Sequence, residues 1–352
     1  MKRIIKSLAG VLLMYTGIFS LLRYLNVIRN KVPIIMYHSI NDCKEIHGLP
    51  KCLEMNRMIV SKKTFEKHIR YLTKHYVIIS LEQYIESRHG IPALPRNALV
   101  ITFDDGFKDN FEIAFPLLVQ YRCMATFFLI GCTLQPREMI WLHRLYNAID
   151  SIQDKIMEIH IGGFQKKYFI TPKGKRDMMQ DVRSHLKGMS KAQRAGFLDE
   201  FEKHIAYKSD SENFYLTGSE VNIMMNKGMS FGVHSMEHPV MAQLDDADAE
   251  YEISMGKNIL EKITGAGKIP FAFPFGGRGT WSSSSLDLLK KHQLSCGLTT
   301  IEGMNGPGTD IYALKRIEIG EYTLYELALH ITGIIGFFKG MGRSFAAKGC
   351  SV

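Results

Sequence analysis

The six cysteines, Cys43, Cys52, Cys123, Cys132, Cys296 and Cys350, include no Cys-x-x-Cys pair, which argues against a zinc ribbon or a thioredoxin-type redox motif. No segment is of low complexity and no internal repeat occurs. Hydrophobic content of 46% and charged content of 22% are those of an ordinary globular protein. RNA- and DNA-binding motifs are absent, so the net charge of +9 points to other anionic partners, lipid head groups or an acidic polysaccharide. The basic residues are scattered; one local cluster, Lys166, Lys167, Lys173, Lys175 and Arg176, reads as a solvated surface. The uncharged run from Ser7 to Leu22 is shorter than the roughly 20 apolar residues that a spanning helix needs, and no clear small-x-small cleavage site follows it.

What the chain does have begins with its ends. Its 352 residues suit one large α/β domain with an insertion, or two domains. Lys2, Arg3 and Lys6 precede the uncharged run, and Arg23, Arg29 and Lys31 follow it. Residues 1–30 therefore read as a membrane-associated segment: a signal anchor, a signal peptide, or a helix lying in the interface. Which side of the membrane the main domain faces stays open. Residues 336–352 read as a basic flexible tail. Cys123, Cys132 and Cys296 lie in or beside apolar stretches and read as buried small hydrophobes, whereas Cys43 and Cys52 share one loop and could pair.

Between the ends, strands and helices alternate. Apolar strands are expected at 32–37, 76–80, 98–103, 125–130, 229–233, 270–274, 296–299 and 314–319. Helices are expected at 62–75 with Ser61 as cap, and at 81–86, 107–121, 217–227, 247–264, 283–292 and 322–332. This alternation predicts a parallel sheet, open or closed into a barrel. Residues 137–215 break the rhythm, being charged and mostly helical, and read as a helical insertion. Trp141 opens that insertion, as packing or as part of a substrate wall.

Functional residues in parallel α/β folds gather where strands end. His38, Asp104, Asp105, His234 and Phe275 all follow predicted strands. Thr102-Phe103-Asp104-Asp105-Gly106 ends one strand with two carboxylates, and His234-Ser235-Met236-Glu237-His238-Pro239 supplies two histidines four apart, a spacing that suits one helical turn. One carboxylate and two imidazoles make an open metal site, Asp105, His234 and His238. A metal there acidifies water and polarises a carbonyl. Asp104 is left free as a general base.

The two motifs resemble those of the polysaccharide deacetylases of the NodB-homology type (carbohydrate esterase family 4). The resemblance covers about residues 32–335 apart from the insertion. It implies a deformed (β/α) barrel, a deacetylase domain over 31–335, Asp104 as base, and a metal on Asp105, His234 and His238. Zinc comes first, with cobalt, nickel or iron as alternatives. The third family motif, R-x-P-[FY], departs here: Ala272-Phe273-Pro274-Phe275 lacks the arginine that orients the base. Pro274-Phe275-Gly276 keeps the part whose backbone N–H, at Phe275, would hold an oxyanion. Arg316 is the candidate replacement. Pro33 to Ile40 resembles the start of a circularly permuted branch that includes the poly-N-acetylglucosamine deacetylases, in which the Tyr-His histidine, here His38, is the general acid. His330 fits the unpermuted arrangement only superficially. His68, His143 and His292 read as structural.

The expected reaction is hydrolysis of N-acetyl groups on an amino-sugar glycan, with a membrane surface as further partner and no nucleic acid. Three other readings are carried: a catalytically silent carbohydrate-binding protein, a membrane-surface scaffold, and a deacetylase of a lipid-linked or small N-acetylated sugar.

Overall fold

A strand buried on both faces must be apolar throughout, and Ala98-Leu99-Val100-Ile101-Thr102-Phe103 is nearly so; all six residues are buried. In the computed structural model, which describes residues 16–28, 30–42, 58–88, 90, 93–208 and 214–333, this strand is one wall of a closed parallel ring. In chain order the strands are β1 (Ile34–Tyr37), β2 (Ser39–Ile40), β3 (Ile59–Val60), β4 (Val77–Ile78), β5 (Ala98–Phe103), β6 (Thr126–Leu129), β7 (Ile156–Ile161), β8 (Phe164–Phe169), β9 (Ser230–Val233), β10 (Phe271–Ala272), β11 (Gly297–Glu302) and β12 (Leu314–Glu318). The ring order is β1-β12-β11-β10-β9-β6-β5, and β5 closes back on β1 through Ile34 opposite Val100 and Tyr37 opposite Phe103. β4 flanks the start of β5. The expected (β/α) barrel is therefore present, with every strand of the ring ending at one face.

The outer helices follow their capping signals. They are α1 (Ile18–Ile28), α2 (Lys62–His75), α3 (Leu81–Ser87), α4 (Phe115–Gln120), α5 (Gly131–Leu134), α6 (Trp141–Ser151), α7 (Pro172–Lys187), α8 (Lys191–His204), α9 (Gly218–Met225), α10 (Asp246–Thr264), α11 (Ser283–Lys291) and α12 (Leu324–Ile331). Ser61 caps α2 by accepting the Thr64 N–H, and Thr217 and Glu220 form a capping box on α9. Phe65, Ile69 and Leu72 of α2 bury against β1 and β5 in the main core.

Two expectations need correcting. Residues 107–121 are not one α-helix: Phe107 bridges Tyr215, Asn110–Ala114 form a π-turn, and α4 begins only at Phe115. The Phe115 N–H reaches back five residues to the Asn110 carbonyl, and Pro116 has no N–H to donate. The insertion is also not purely helical, because β7 and β8 form an antiparallel hairpin between α6 and α7. Met157, Ile159 and Ile161 alternate with exposed or charged neighbours, so the strand has a period of two hidden in a charged segment. This unit has its own core, Leu145, Ile149, Met178, Val182 and Phe201 among it, which continues into Tyr215 and Met236 beside the barrel mouth.

Cys123, Cys132 and Cys296 are buried free thiols, as expected. Cys43, Cys52, Cys350, the first part of the uncharged run and the basic tail lie outside the described residues.

Candidate active site and metal centre

All the site residues named from the sequence meet at the carboxyl end of the ring. Asp104 and Asp105 follow β5, His38 follows β1, His234 follows β9 and Phe275 follows β10, while Arg316 points in from β12. Several have left-handed backbones: Asp105 at φ 70°, Ser235 at 62°, His238 at 59° and Phe275 at 59°. Each such non-glycine conformation costs roughly 1–3 kcal/mol, and strain of this kind collects at functional sites. Gly106 has φ 66°, which glycine adopts without strain, and a Cβ there would push Leu129 Cδ2 aside from 2.6 Å.

Arg316 is completely buried and holds Asp104 with two parallel hydrogen bonds, Nη1 to Oδ1 at 2.6 Å and Nη2 to Oδ2 at 2.7 Å. Its Nε donates to the Thr299 carbonyl at 2.9 Å, which fixes the plane of the fork. Burial pushes the Asp104 carboxyl up, but Arg316, with His234 and His38 around it, outweighs burial and holds it below the usual carboxylate range. The arginine on Asp104 thus comes from β12, while position 272 on β10 is an alanine.

Asp105 faces the two histidines. Its Oδ1 lies 3.4 Å from His234 Nε2 and 3.5 Å from His238 Nε2. His234 Nδ1 donates to the Ala272 carbonyl at 2.8 Å, which turns the Nε2 lone pair towards Asp105. Burial pushes the His238 imidazole down to about 3, so it stands neutral, the form that ligates a cation. Asp105 Oδ1 is buried with no hydrogen-bond partner among the described residues. One carboxylate and two imidazoles, their ligand atoms within 4.8 Å of one another and one of them orphaned, fit a divalent cation.

The histidines are not on a helical turn, contrary to the expectation from their spacing. They lie on an irregular loop held by side chains. Ser235 Oγ accepts the His238 N–H at 2.9 Å, and the Glu252 carboxylate on α10 accepts the N–H groups of Met236 and Glu237, both at 2.8 Å. Burial raises Glu252 to about 7. Nothing in the sequence near the motif announces Glu252, which sits mid-helix with the spacing of any α10 core position.

Asp109 and Asn110 were also not foreseen. Asp109 accepts from Ser39 Oγ at 2.5 Å and from the Ile40 N–H at 3.2 Å, and Asn110 Nδ2 donates to the His38 carbonyl at 2.7 Å. Together they pin the backbone on which His38 stands. The His38 Nδ1 has no partner among the described residues, and its charge acts on both Asp104 and Asp105.

His330 stacks on Tyr322 with centroids 4.6 Å apart and pairs with Glu302, whereas His38 is near enough to Asp104 and Asp105 to lower both carboxyls. His68 bonds Tyr37 and the Tyr322 carbonyl, and His292 bonds Glu250, both structural as expected. His143 is different: it is buried with Nε2 4.0 Å from Asp105 Oδ2. Trp141 packs on the insertion core beneath Arg194, 5.4 Å from its ring centroid. The Phe275 ring packs 5.0 Å from His238, with Lys187 of the insertion 4.8 Å above it.

The polysaccharide deacetylase family model matches residues 92–159 and 200–297. The chain carries a polysaccharide deacetylase domain. The gap between the two matched stretches of this deacetylase domain falls inside the insertion, and His38 and Arg316 lie outside both. YxkH of Bacillus subtilis (strain 168), assigned to the polysaccharide deacetylases, is 33% identical over 102 residues, which is 29% of this chain and 32% of that protein. That match thus spans about a third of the relative's own length. Among solved structures, the Streptococcus pyogenes deacetylase PplD superposes with a TM-score of 0.58 at 19% identity, covering 86% of this chain and 98% of that one. IcaB from Ammonifex degensii gives 0.54 at 15% identity, covering 86% and 97%. At such identities these two structures establish the shared barrel fold.

Proposed function

We propose that the chain is a metal-dependent hydrolase that removes N-acetyl groups from an amino-sugar glycan. The observation that carries this reading is the pairing of a free, ionised carboxylate, Asp104 on Arg316, with a separate ligand set, Asp105, His234 and His238. A cation on that set would acidify a water and polarise the acetyl carbonyl, with zinc the first choice. Asp104 takes the proton of the attacking water, held in line by the Arg316 fork. The Phe275 N–H faces the oxyanion, and His38 gives a proton to the departing amine. The absent arginine at Ala272 is the ground for a catalytically silent carbohydrate-binding protein; Arg316 on Asp104 argues against that alternative.

We further propose that residues 1–30 hold this enzyme at a membrane surface, where a lipid-linked sugar is a natural substrate. The basic residues Lys2, Arg3 and Lys6 and the uncharged run support it. So does α1, where Ile18, Leu21 and Tyr24 lie exposed along one side. Among the described residues no helix is long and apolar enough to cross a membrane.

The test is acetate release from N-acetylglucosamine oligomers by the full chain, metal-free and after adding zinc or cobalt, beside Asp104→Asn. Metal-dependent release is expected, and the substitution should lower it about 10²–10⁴-fold while leaving metal binding intact. Tight metal binding without turnover across a broad sugar panel would instead favour the binding protein.

A further inference from the structure

The insertion begins and ends at the metal centre. His143, on the first turn of α6, and Tyr215, at the return to the barrel, form a 2.6 Å hydrogen bond between the imidazole Nδ1 and the phenol oxygen. Both are buried, and Phe107 bridges Tyr215 through the backbone. His143 is packed among the rings of Phe107, Phe214 and Tyr215, with centroids 5.1, 5.4 and 5.8 Å away. That cage leaves the imidazole little freedom to turn and keeps water from it.

The direction of the protons follows from the partners. Burial keeps the Tyr215 phenol protonated, and a phenol O–H is a stronger donor than an imidazole N–H, so Tyr215 donates to His143 Nδ1. A neutral imidazole that accepts at Nδ1 carries its hydrogen on Nε2. That atom faces Asp105 Oδ2 at 4.0 Å, while Asp105 Oδ1 faces His234 and His238. The two oxygens of one carboxylate thus have separate neighbours.

We infer that His143 is a positioning residue for Asp105: Tyr215 sets its tautomer, and its Nε2–H attracts Oδ2 to its side so that Oδ1 is presented to the cation. The 4.0 Å separation is longer than a hydrogen bond, so His143 acts on Oδ2 as an oriented N–H dipole at short range. His143 is not among the three residues whose ligand atoms cluster within 4.8 Å, which sets it outside the ligand set itself. Partners of this kind commonly govern affinity, because they fix the orientation and basicity of a ligand. The insertion, whose middle the family match leaves uncovered, is thereby tied to the candidate metal centre at both of its ends. This inference rests on the metal-site reading of Asp105, His234 and His238.

The experiment measures cobalt(II) affinity of the full chain by chelator competition, together with the visible absorption of the bound ion. His143→Phe is expected to weaken binding about 10–100-fold and to leave the intensity of the loaded spectrum unchanged. His143→Gln, which restores an N–H donor, should recover most of the loss. Tyr215→Phe keeps the cage but removes the tautomer-setting hydroxyl, and should fall between them; it decides the question if His143→Phe does not fold. Wild-type affinity in both His143→Phe and Tyr215→Phe would make the pair simple packing and overturn the inference. A spectrum showing one nitrogen ligand fewer in His143→Phe would make His143 a fourth ligand and overturn it differently. Asp105→Ala separates the two levels of the argument: if it binds cobalt as tightly as the wild type, the metal-site reading itself has failed.

Discussion

Arg316 carries the highest stake of any single side chain in this molecule. It is a fully buried cation whose only charged partner at contact distance among the described residues is Asp104, itself buried. Removing one member of such a pair leaves the other as an uncompensated charge in a low-dielectric site. Arg316→Met is therefore expected to lower stability by about 3–5 kcal/mol, read as a drop in the urea midpoint. Arg316→Lys keeps the charge but loses the two-pronged geometry and the Nε bond to Thr299. Its expected signature is a lower kcat with little change in KM, since the geometry of the base changes while the metal ligands do not. An unchanged kcat in Arg316→Lys would count against a role in aligning Asp104. Arg316 was legible as a candidate only because the resemblance pointed to a missing arginine; its pairing with a carboxylate 212 positions away was not.

At the level of elements, the joints matter more than the strands. The π-turn before α4 is tied to β2 by Asp109, whose carboxyl burial pushes up to about 7. The consequence for stability has a definite sign. Unfolded, the group loses its proton near 3.8; folded, near 7. Between those values the folded chain binds more protons, so stability falls as pH rises across the window and levels off above it. Glu252, raised by burial from 4.5 to about 7, acts in the same direction. Each group contributes at most about 1.4 kcal/mol per pH unit. Urea midpoints at pH 5 and pH 7.5 should therefore differ more in the wild type than in Asp109→Asn, and equal differences would show that Asp109 does not titrate in this range. The element boundaries were readable wherever a cap or an apolar run marked them, as at Ser61, Thr217 and β5. The histidine loop was not, because a spacing of four fits a helical turn as well as a loop braced by Ser235 and Glu252.

For the whole molecule, the route of the N-terminus sets how the barrel would sit on a membrane. α1 runs alongside α12 in the same direction: Phe19 packs on Tyr325 with centroids 6.0 Å apart, and Asn26 donates to the Thr332 carbonyl at 3.1 Å. Because α12 follows β12, its start lies at the face where the candidate site residues gather, and so does the start of α1. Arg23 is buried against Tyr71 and Tyr76, anchoring the helix to the barrel. If residues 1–30 hold the enzyme at a membrane, as proposed, the chain arrives from the catalytic side. The full chain is expected to sediment with anionic phospholipid vesicles, and Leu21→Glu should reduce the bound fraction several-fold without changing acetate release from soluble oligomers. Equal sedimentation of the two would remove α1 from the membrane contact.

The sequence by itself determined the barrel's strand rhythm, the two carboxylates at the end of β5 and the histidine pair that answers them. These are local signals, fixed by apolar periodicity and by motifs that ligand chemistry demands at short spacing. Only the tertiary structure decided that Arg316 meets Asp104 in a two-pronged pair, that His330 pairs with Glu302 and not with the carboxylates, and that Glu252, Asp109 and His143 pack around the site. Those assignments depend on which distant strands become neighbours when the ring closes and on where the insertion folds back over the mouth. Buried charges and hydrogen bonds of that kind are set by three-dimensional proximity, which no spacing along the chain encodes.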